Sequence, residues 1–550
     1  MPALGGSPLP RRVRVLVAGG GPVGLSAAVE LGRRGVDCLV VEPRPVVSTA
    51  RPRCKTLNVR TMEHLRRWGL ADRLRARAPL PASWSQDVVF CTSLTGHELS
   101  RFTGVLGLVP DGDRFAELGQ QAPQYVLEEL LREEVDGLGA CRLALGARVV
   151  AVSQDDSLVS VTVEDEAGHR STVVADYVIG CDGPRSTVRE QIGSRYVGGE
   201  DLRPNFGMVF ESPELRHRVR HGPAVQYWIV NGSAPALVGP LDRRGTWWAI
   251  AFGVDRTTGE RTAARIIDGV AGARTEARVL STDPWTARMQ IVDRMRHGRV
   301  FLAGDAAHLN PPFGGHGLNT GIADAVDLGW KLAAVLDGWG GSGLLDSYES
   351  ERRPVQERVI REAAANMRVL STELLADDLE SSGLAGAESR RAAGARIQET
   401  KRAEFHSLDL VLGVHITGSP VIPPAGAAGT AAARPGTRLP HTRVDGGGSL
   451  YDLLGDGLTL LVLRSGTSEG AIEEAARARG VPLTVVDLRR ATHRDCGPLL
   501  GSRLLLVRPD QTVAWAGDEA PEDALTLIDT VRGCPPPASA RCASRPVPNP

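Results

Sequence analysis

Gly304-Asp305-Ala306-Ala307-His308 is followed by Pro311-Pro312-Phe313-Gly314-Gly315-His316-Gly317-Leu318-Asn319-Thr320-Gly321, a carboxylate beside a run of prolines and glycines. A second glycine cluster, Gly19-Gly20-Gly21-Pro22-Val23-Gly24, lies far upstream. A carboxylate at the end of a strand can accept hydrogen bonds from a polyol chain. Gly314, Gly315 and Gly317 let the backbone approach a flat ring closely, with free N–H groups at a helix start beside it. Gly19, Gly21 and Gly24 satisfy Gly-x-Gly-x-x-Gly, whose backbone can cradle a pyrophosphate. Read together, the segments describe one molecule with a pyrophosphate and a polyol-linked flat ring, which is FAD, bound without a covalent link.

The elements that must position these residues can be read around them. Residues 13–18 form an apolar run that predicts a buried parallel strand, 25–34 a helix ended by Gly35, and 38–41 a second strand closing on Glu42. Strand, glycine turn, helix, strand and an acid about 20 residues on make a dinucleotide-binding unit, with Glu42 as acceptor for ribose hydroxyls. The bare pattern is weak: Gly338-Trp339-Gly340-Gly341-Ser342-Gly343 also fits, yet it follows a helix and reads as a loop. The first motif alone does not separate FAD from NAD(P); the second segment does. Residues 299–303 predict a strand that delivers Asp305 at its carboxyl end, and 318–337 a helix with Leu318, Ile322, Val326, Leu332 and Leu336 near helical spacing. A reduced flavin is anionic around N1 and O2, so a helix N-terminus there favours reduction. An ordinary strand–turn–helix would not need an aspartate, two prolines and three glycines in succession.

On these motifs the chain resembles the class A flavoprotein aromatic hydroxylases, of the para-hydroxybenzoate and phenol hydroxylase type. A middle signature, Tyr177-Val-Ile-Gly-Cys-Asp182-Gly183-Pro-Arg-Ser-Thr-Val-Arg189, matches the family, as do Arg51-Pro52-Arg53, Asn58-Val-Arg-Thr-Met-Glu63, Gln124-Tyr-Val-Leu-Glu-Glu-Leu-Leu-Arg132 and Tyr348-Glu-Ser-Glu-Arg-Arg-Pro354. The resemblance implies that Arg53 and Gln124 contact FAD, that the Asp182 region serves both FAD and a passing NADPH or NADH, and that Pro312, Gly315, Gly317, Leu318 and Asn319 lie along the isoalloxazine. Two positions depart from the family pattern. His316 stands where relatives carry Gln, and Pro43 separates Glu42 from Arg44, which leaves Arg44's contact with the adenosine end open.

Composition fits this picture. The formal net charge is -1, and no basic stripe suggests nucleic acid as a partner. Only Lys55, Lys331 and Lys401 are lysines among 64 basic residues, an arginine bias expected of a GC-rich bacterial genome. The eight cysteines show no C-x-x-C and no zinc spacing, so no metal is expected. With no apolar leader and no run long enough to span a membrane, a cytoplasmic protein is expected.

The fold class expected is α/β: a Rossmann-like FAD domain (1–200 and 286–345) with an inserted β-sheet substrate domain (201–285). A helical linker region (346–420) leads away from it to a thioredoxin-like domain (421–533) and a disordered tail (534–550). In the inserted sheet Phe206, Phe210, Tyr227, Trp228, Trp247 and Trp248 cluster, which suits an aromatic substrate and suits packing on helices equally well. The thioredoxin-like domain lacks a redox cysteine pair and is expected to be structural or oligomeric.

The resemblance implies a monooxygenase: NAD(P)H reduces the flavin, oxygen adds to form a C4a-hydroperoxide, and OH passes to an activated ring. Expected partners are a small aromatic substrate, phenolic or of polyketide type, and molecular oxygen, with a homodimer as the assembly to test. Tyr227 and His316 are candidates for the phenol-activating base, with packing the role we favour for each. Baeyer–Villiger insertion or epoxidation on the same fold, and a non-catalytic flavin-binding scaffold, are the alternatives. A plain NAD-dependent dehydrogenase would leave Asp305 and the Pro/Gly loop unexplained. Trp247-Trp248 is not the W-x-W-x-I-P motif of tryptophan halogenases.

Overall fold

The computed structural model describes residues 9–52, 55–367, 374–376, 378–424, 432–463, 469–492 and 496–534. They form two compact units, one of Met1–Trp330 with Arg352–Val414 and one of Lys331–Glu351 with His415–Pro550. Arg53, and the tail beyond Cys534, lie outside the described residues.

In the first unit, Val- and Leu-rich runs become the strands of a parallel core, buried most fully at its centre. Arg12–Ala18 pairs in parallel with Cys38–Glu42 on one side and Arg170–Gly180 on the other. Cys141–Leu145 and Val300–Leu302 extend this parallel core outward. Helix Pro22–Gly32 is almost wholly buried, which its Ala- and Gly-rich sequence permits. An antiparallel pair, Ala147–Gln154 and Val159–Asp165, leans on the early half of Arg170–Gly180.

The second sheet is larger than the sequence suggests. Its strand order is His308–Leu309, Arg278–Val292, Tyr196–Glu211, Thr246–Phe252, Ala236–Pro240, Gln226–Ile229, Val88–Cys91, Glu98–Phe102. The boundaries 201–285 are therefore too narrow: three strands, Val88–Cys91, Glu98–Phe102 and His308–Leu309, come from inside the segments expected to build only the FAD domain. Val88–Cys91 is a short apolar run, and periodicity alone cannot say which sheet such a run joins. Helix Arg256–Ala271 covers one face, with Ile266, Ile267 and Val270 packed on Phe206, Phe210, Tyr227 and Trp247.

The helical region expected to lead away from the FAD domain does not all do so. Helix Leu384–Phe405 lies on the opposite face of this sheet, where Ala393, Ile397 and Phe405 pack with Phe90, Phe102, Trp228 and Phe252. Gly394 permits the approach, since a Cβ there would sit 2.4 Å from the Leu99 carbonyl oxygen.

In the second unit, Leu458–Val462 pairs in parallel with Leu483–Asp487 and antiparallel with Leu504–Val507, which pairs antiparallel with Val513–Gly517. Helices Glu469–Ala478 and Ala524–Val531 accompany this sheet. Segment Lys331–Glu351 groups with this compact unit, whereas the sequence division put 331–345 with the FAD domain and 346–351 with the helical linker region. Its Glu351 carboxylate accepts from Lys331 Nζ at 2.8 Å, Arg508 Nη1 and Nη2 at 2.8 and 2.9 Å, and Ser419 Oγ at 2.6 Å. Burial pushes the Glu351 carboxyl up, but Arg508 and Lys331 outweigh it and hold the group well below the usual range.

Candidate active site

The turn after Ala18 opens at the carboxyl edge of the parallel sheet, between two neighbouring strands, where such sheets bind ligands. Gly19 has φ of 102°, and a Cβ on it would lie 2.4 Å from the Cys181 carbonyl oxygen. Gly24 is equally constrained, with a Cβ only 2.0 Å from the Gly19 oxygen. At Gly21 the reverse holds, for a Cβ would enter open space. Gly21 is also the N-cap of helix Pro22–Gly32, offers no side-chain cap, and no acid stands in the first turn. The N–H groups of that turn are left for an outside acceptor, and Pro22 pre-sets the helical start. This cradle fits a pyrophosphate.

Glu42 is buried, and most of its acceptor capacity serves the chain itself. Oε2 accepts from the Gly20 N–H at 2.8 Å, while Oε1 accepts from the Arg44 N–H at 3.0 Å and Nε at 2.6 Å. A carboxylate has about four lone-pair positions, so roughly one is left for a ribose hydroxyl. Arg44 also donates to Glu128 at 2.9 Å, which fixes it beside Glu42 despite the intervening Pro43. Gln124 opens helix Gln124–Gly137, and its N–H donates to the Pro52 oxygen at 3.1 Å. Asp182 accepts from Ser186 Oγ and from the Val188 N–H at 3.1 Å, so it supports the first turn of helix Thr187–Gln191, whose N-cap is Ser186. Burial raises its carboxyl above the ordinary range.

The two distant signatures meet at Val23. A Cβ on Gly304 would lie 2.9 Å from the Val23 side chain, and one on Gly321 2.7 Å from it. Gly304–Ala306 forms a short turn after strand Val300–Leu302, with Asp305 exposed between buried neighbours. Tyr196 donates its hydroxyl to the Asp305 carbonyl. The turn is anchored by Asp324, fully buried, which accepts from the Gly304 N–H at 3.2 Å, Arg352 Nε at 2.8 Å and Gln356 Nε2 at 2.8 Å, and faces His308 Nε2 at 2.8 Å. Burial works against the Asp324 charge, but Arg352 and His308 prevail and lower its pKa.

Along the Pro/Gly loop, helix His316–Leu336 starts two residues earlier than its apolar spacing suggests. Gly314 and Gly315 have φ of 82° and 67°. Pro312 is exposed, while Gly315, Gly317 and Leu318 are half-buried. Asn319 is a clasp: Oδ1 accepts from the Asn58 N–H at 2.9 Å and Thr61 Oγ1 at 2.7 Å, and Nδ2 donates to the Thr56 and Gly315 oxygens at 3.1 and 2.6 Å. All its hydrogen-bonding groups are used within the protein, so it holds the loop and has little left for a ligand.

Two other polar groups have no partner. Both side-chain polar atoms of Asn310 are buried without a hydrogen bond, and so is His316 Nε2. Burial pushes the His316 imidazole down to about 4, so it is neutral. Buried unpaired polar atoms are costly, and their concentration on this loop fits a site completed by a polar flat ring. The residues present therefore fit FAD at both ends.

Tyr227 is removed from the catalytic candidates. It is 2% exposed, packs on the helix-covered face of the second sheet, and donates to the Gly222 oxygen at 2.5 Å. Burial raises its phenol pKa, the wrong direction for a base. Strand alternation instead turns Trp228, Trp248 and Phe252 to the other face, where Phe313 of the loop lies 5.9 Å from the Trp228 ring and 6.1 Å from Phe252. The aromatic cluster thus divides, one half packing on helix Arg256–Ala271 and the other packing on helix Leu384–Phe405 and meeting the loop.

Three groups escape the sequence reading: Asn310, Lys401 and Glu404. Lys401 Nζ lies 4.5 Å over the Trp228 ring and donates to Glu404 at 2.9 Å. The one signal available is rarity, since Lys401 is one of three lysines in an arginine-rich chain.

Residues 12–363 match the family described as FAD binding domain, and residues 432–534 match that described as aromatic-ring hydroxylase, C-terminal. The chain is 33% identical to a tetracenomycin A2 monooxygenase-dioxygenase of Streptomyces glaucescens, covering 93% of this chain and 94% of that one. Among solved structures, the rebeccamycin biosynthetic enzyme RebC with reduced flavin is similar at 34% identity and TM-score 0.87, over 96% of this chain and all of that one. A ternary complex of aklavinone-11 hydroxylase with FAD and aklavinone is similar at 29% identity and TM-score 0.80, over 95% of this chain and 98% of the other.

Proposed function

We propose, from the premise that this chain belongs to the FAD-dependent aromatic hydroxylases and is a flavin monooxygenase, that it hydroxylates a polycyclic phenol at the expense of NAD(P)H. The carrying observation is the aromatic core of Trp228 and Phe252, buried under helix Leu384–Phe405, that reaches Phe313 and so ties the second sheet to the Pro/Gly loop. The aklavinone complex of a similar enzyme supports a polycyclic ligand. Bound FAD, reduced by NAD(P)H, supplies the activation of molecular oxygen.

The chain's own residues bind and orient. The first turn of helix Pro22–Gly32 takes the pyrophosphate, Glu42 a ribose hydroxyl, and Asp305 the ribityl chain. Asn310 and His316 present hydrogen-bonding groups to the ring side of the loop. The apolar face excludes water from the reacting oxygen. The burial that lowers the His316 imidazole to about 4 also makes it a weak acceptor for a phenol proton. With its Nε2 beneath Gly314, where a Cβ would be only 2.4 Å away, packing of the loop is the role its surroundings support. No second nucleotide-binding unit of the Gly-x-Gly type occurs among the described residues, which supports transient binding of NAD(P)H. The strand order and directions of the second unit's sheet support a thioredoxin-like domain without a redox role.

The test is stopped-flow flavin reduction with and without a panel of polycyclic phenols, followed by product mass under labelled oxygen. Substrate should accelerate reduction, and the product should gain one labelled atom on a ring carbon. Label in a lactone or an epoxide would move the assignment to Baeyer–Villiger or epoxidation chemistry. Fast reduction without substrate and an unlabelled product would overturn it.

A further inference from the structure

Tyr196 opens strand Tyr196–Glu211 where the middle signature, the Gly304–Ala306 turn and the second sheet come together. The backbone sets its place. Tyr196 pairs with Val292 across the sheet, and the Val292 N–H donates to the Ala307 oxygen at 2.8 Å, which brings the strand end beside the turn. One residue earlier, the Arg195 N–H donates to Asp293 Oδ1 at 3.0 Å and the Asp293 N–H to the Arg195 oxygen at 2.8 Å, so this corner is held in register.

The half-buried side chain then reaches in two directions. Its ring lies 4.0 Å from the Arg189 guanidinium, which donates to the Pro184 oxygen at 3.1 Å within the middle signature. Its hydroxyl donates to the Asp305 carbonyl. Burial pushes the Tyr196 phenol up, so it stays protonated and remains a donor at neutral pH. A phenylalanine would pack under Arg189 equally well, so the use of the oxygen lies in its hydrogen bond.

The turn that carries Asp305 needs such a contact. Gly304 has φ of 59°, in the left-handed region, and the turn has no side-chain cap. Asp324 accepts the Gly304 N–H at 3.2 Å, and the Ala307 N–H returns to the Gly304 oxygen at 2.8 Å. Neither contact holds the carbonyl of Asp305 itself; the Tyr196 hydroxyl does. A ligand-binding group held in place beforehand binds more tightly, because little ordering is left to do when the ligand arrives.

We propose that Tyr196 is a positioning residue that holds the Asp305 main chain so that the carboxylate meets the ribityl hydroxyls of FAD, and that it ties this turn to the middle signature. The inference rests on the reading of Asp305 as the ribityl acceptor and goes beyond it by naming the group that orients the acid. Tyr196 acts through Asp305 and not on the reacting atoms.

Y196F deletes one oxygen and keeps the ring under Arg189. The FAD affinity of the apoprotein should fall about three- to tenfold, the range for one lost hydrogen bond. ADP, which carries the adenosine and pyrophosphate but no ribityl chain, should bind native and variant apoprotein within about twofold of each other. In a D305A background, Y196F should lower FAD affinity by less than about twofold further, since the acid it orients is gone. Equal FAD affinity in Y196F and the native protein would overturn the proposal. So would an equal loss of ADP affinity, which marks general damage, or a full additional loss in the D305A background, which marks a route that bypasses Asp305. If D305A itself leaves FAD affinity unchanged, the reading of Asp305 fails and the inference with it. If D305A weakens FAD binding and Y196F does not, only the inference falls.

Discussion

At the scale of single residues, His316 has the sharpest measurable signature. Its folded-state pKa of about 4 lies below the ordinary 6.5, because burial disfavours the charged ring. Between those values the unfolded chain binds the proton more readily, so stability is complete above pH 6.5 and is lost as pH falls towards 4. His64, buried and pushed down by burial and by Arg60, Arg67 and Arg352, slopes the same way, so the comparison must be between native protein and variant. His316→Gln should flatten the loss by about 3 kcal/mol at most, measured by chemical unfolding of both proteins at each pH. Parallel curves would mean that the imidazole is not buried and neutral. Asp305 makes a separate case. Asp305→Ala removes the acceptor offered to the ribityl chain and should cost about 1.5–3 kcal/mol of FAD affinity, roughly tenfold or more. Equilibrium dialysis would read this directly, and unchanged occupancy would displace Asp305 from the site. These residues are legible because a glycine at positive φ or an acid at a strand end leaves a local mark. Tyr227 misleads because alternation shows that neighbours face opposite ways without showing which way is inward. Asn319 looks like a ligand contact because its polarity is visible in sequence and its partners are not.

At the scale of elements, most strands and helices fall where period and turn residues put them, including Thr246–Phe252 and Leu458–Val462. What cannot be read is assembly. Val88–Cys91 lies in parallel beside Gln226–Ile229, well over a hundred residues later in the chain, and nothing local in either run names the other. Helix Leu384–Phe405 is hidden for a related reason: its apolar positions do not make a clean stripe, and a buried lysine and glutamate blur it further. Its seat depends on Gly394. Gly394→Ala would place a methyl 2.4 Å from the Leu99 oxygen, too close for the helix to keep its position. Overpacking of this kind typically costs about 1–3 kcal/mol. The variant should melt at lower temperature and bind a polycyclic phenol more weakly, by calorimetry, while FAD affinity falls less. A protein as stable as the native one would place the helix elsewhere.

At the scale of the whole chain, the second unit is discontinuous in sequence. Lys331–Glu351 and His415 onward share one buried charge cluster, so neither piece is complete alone. Breaking it should be severe: Arg508→Met leaves Glu351 with Lys331 and Ser419 as partners and should cost about 3–5 kcal/mol, read from the unfolding of that unit. Glu351→Gln in the same background should recover part of the loss, and no recovery would mean that the damage is steric. The cluster also sets a clock. Glu351 and Arg508 are separated by 157 residues, which at about 5–20 residues per second is roughly 8–30 seconds of synthesis. Throughout that interval the nascent chain holds an acid and a lysine prepared for a guanidinium that has not yet been made. A stalled or prematurely terminated chain therefore carries an unfinished interior in its middle and not merely a missing end, which makes such products natural targets for chaperones and proteases.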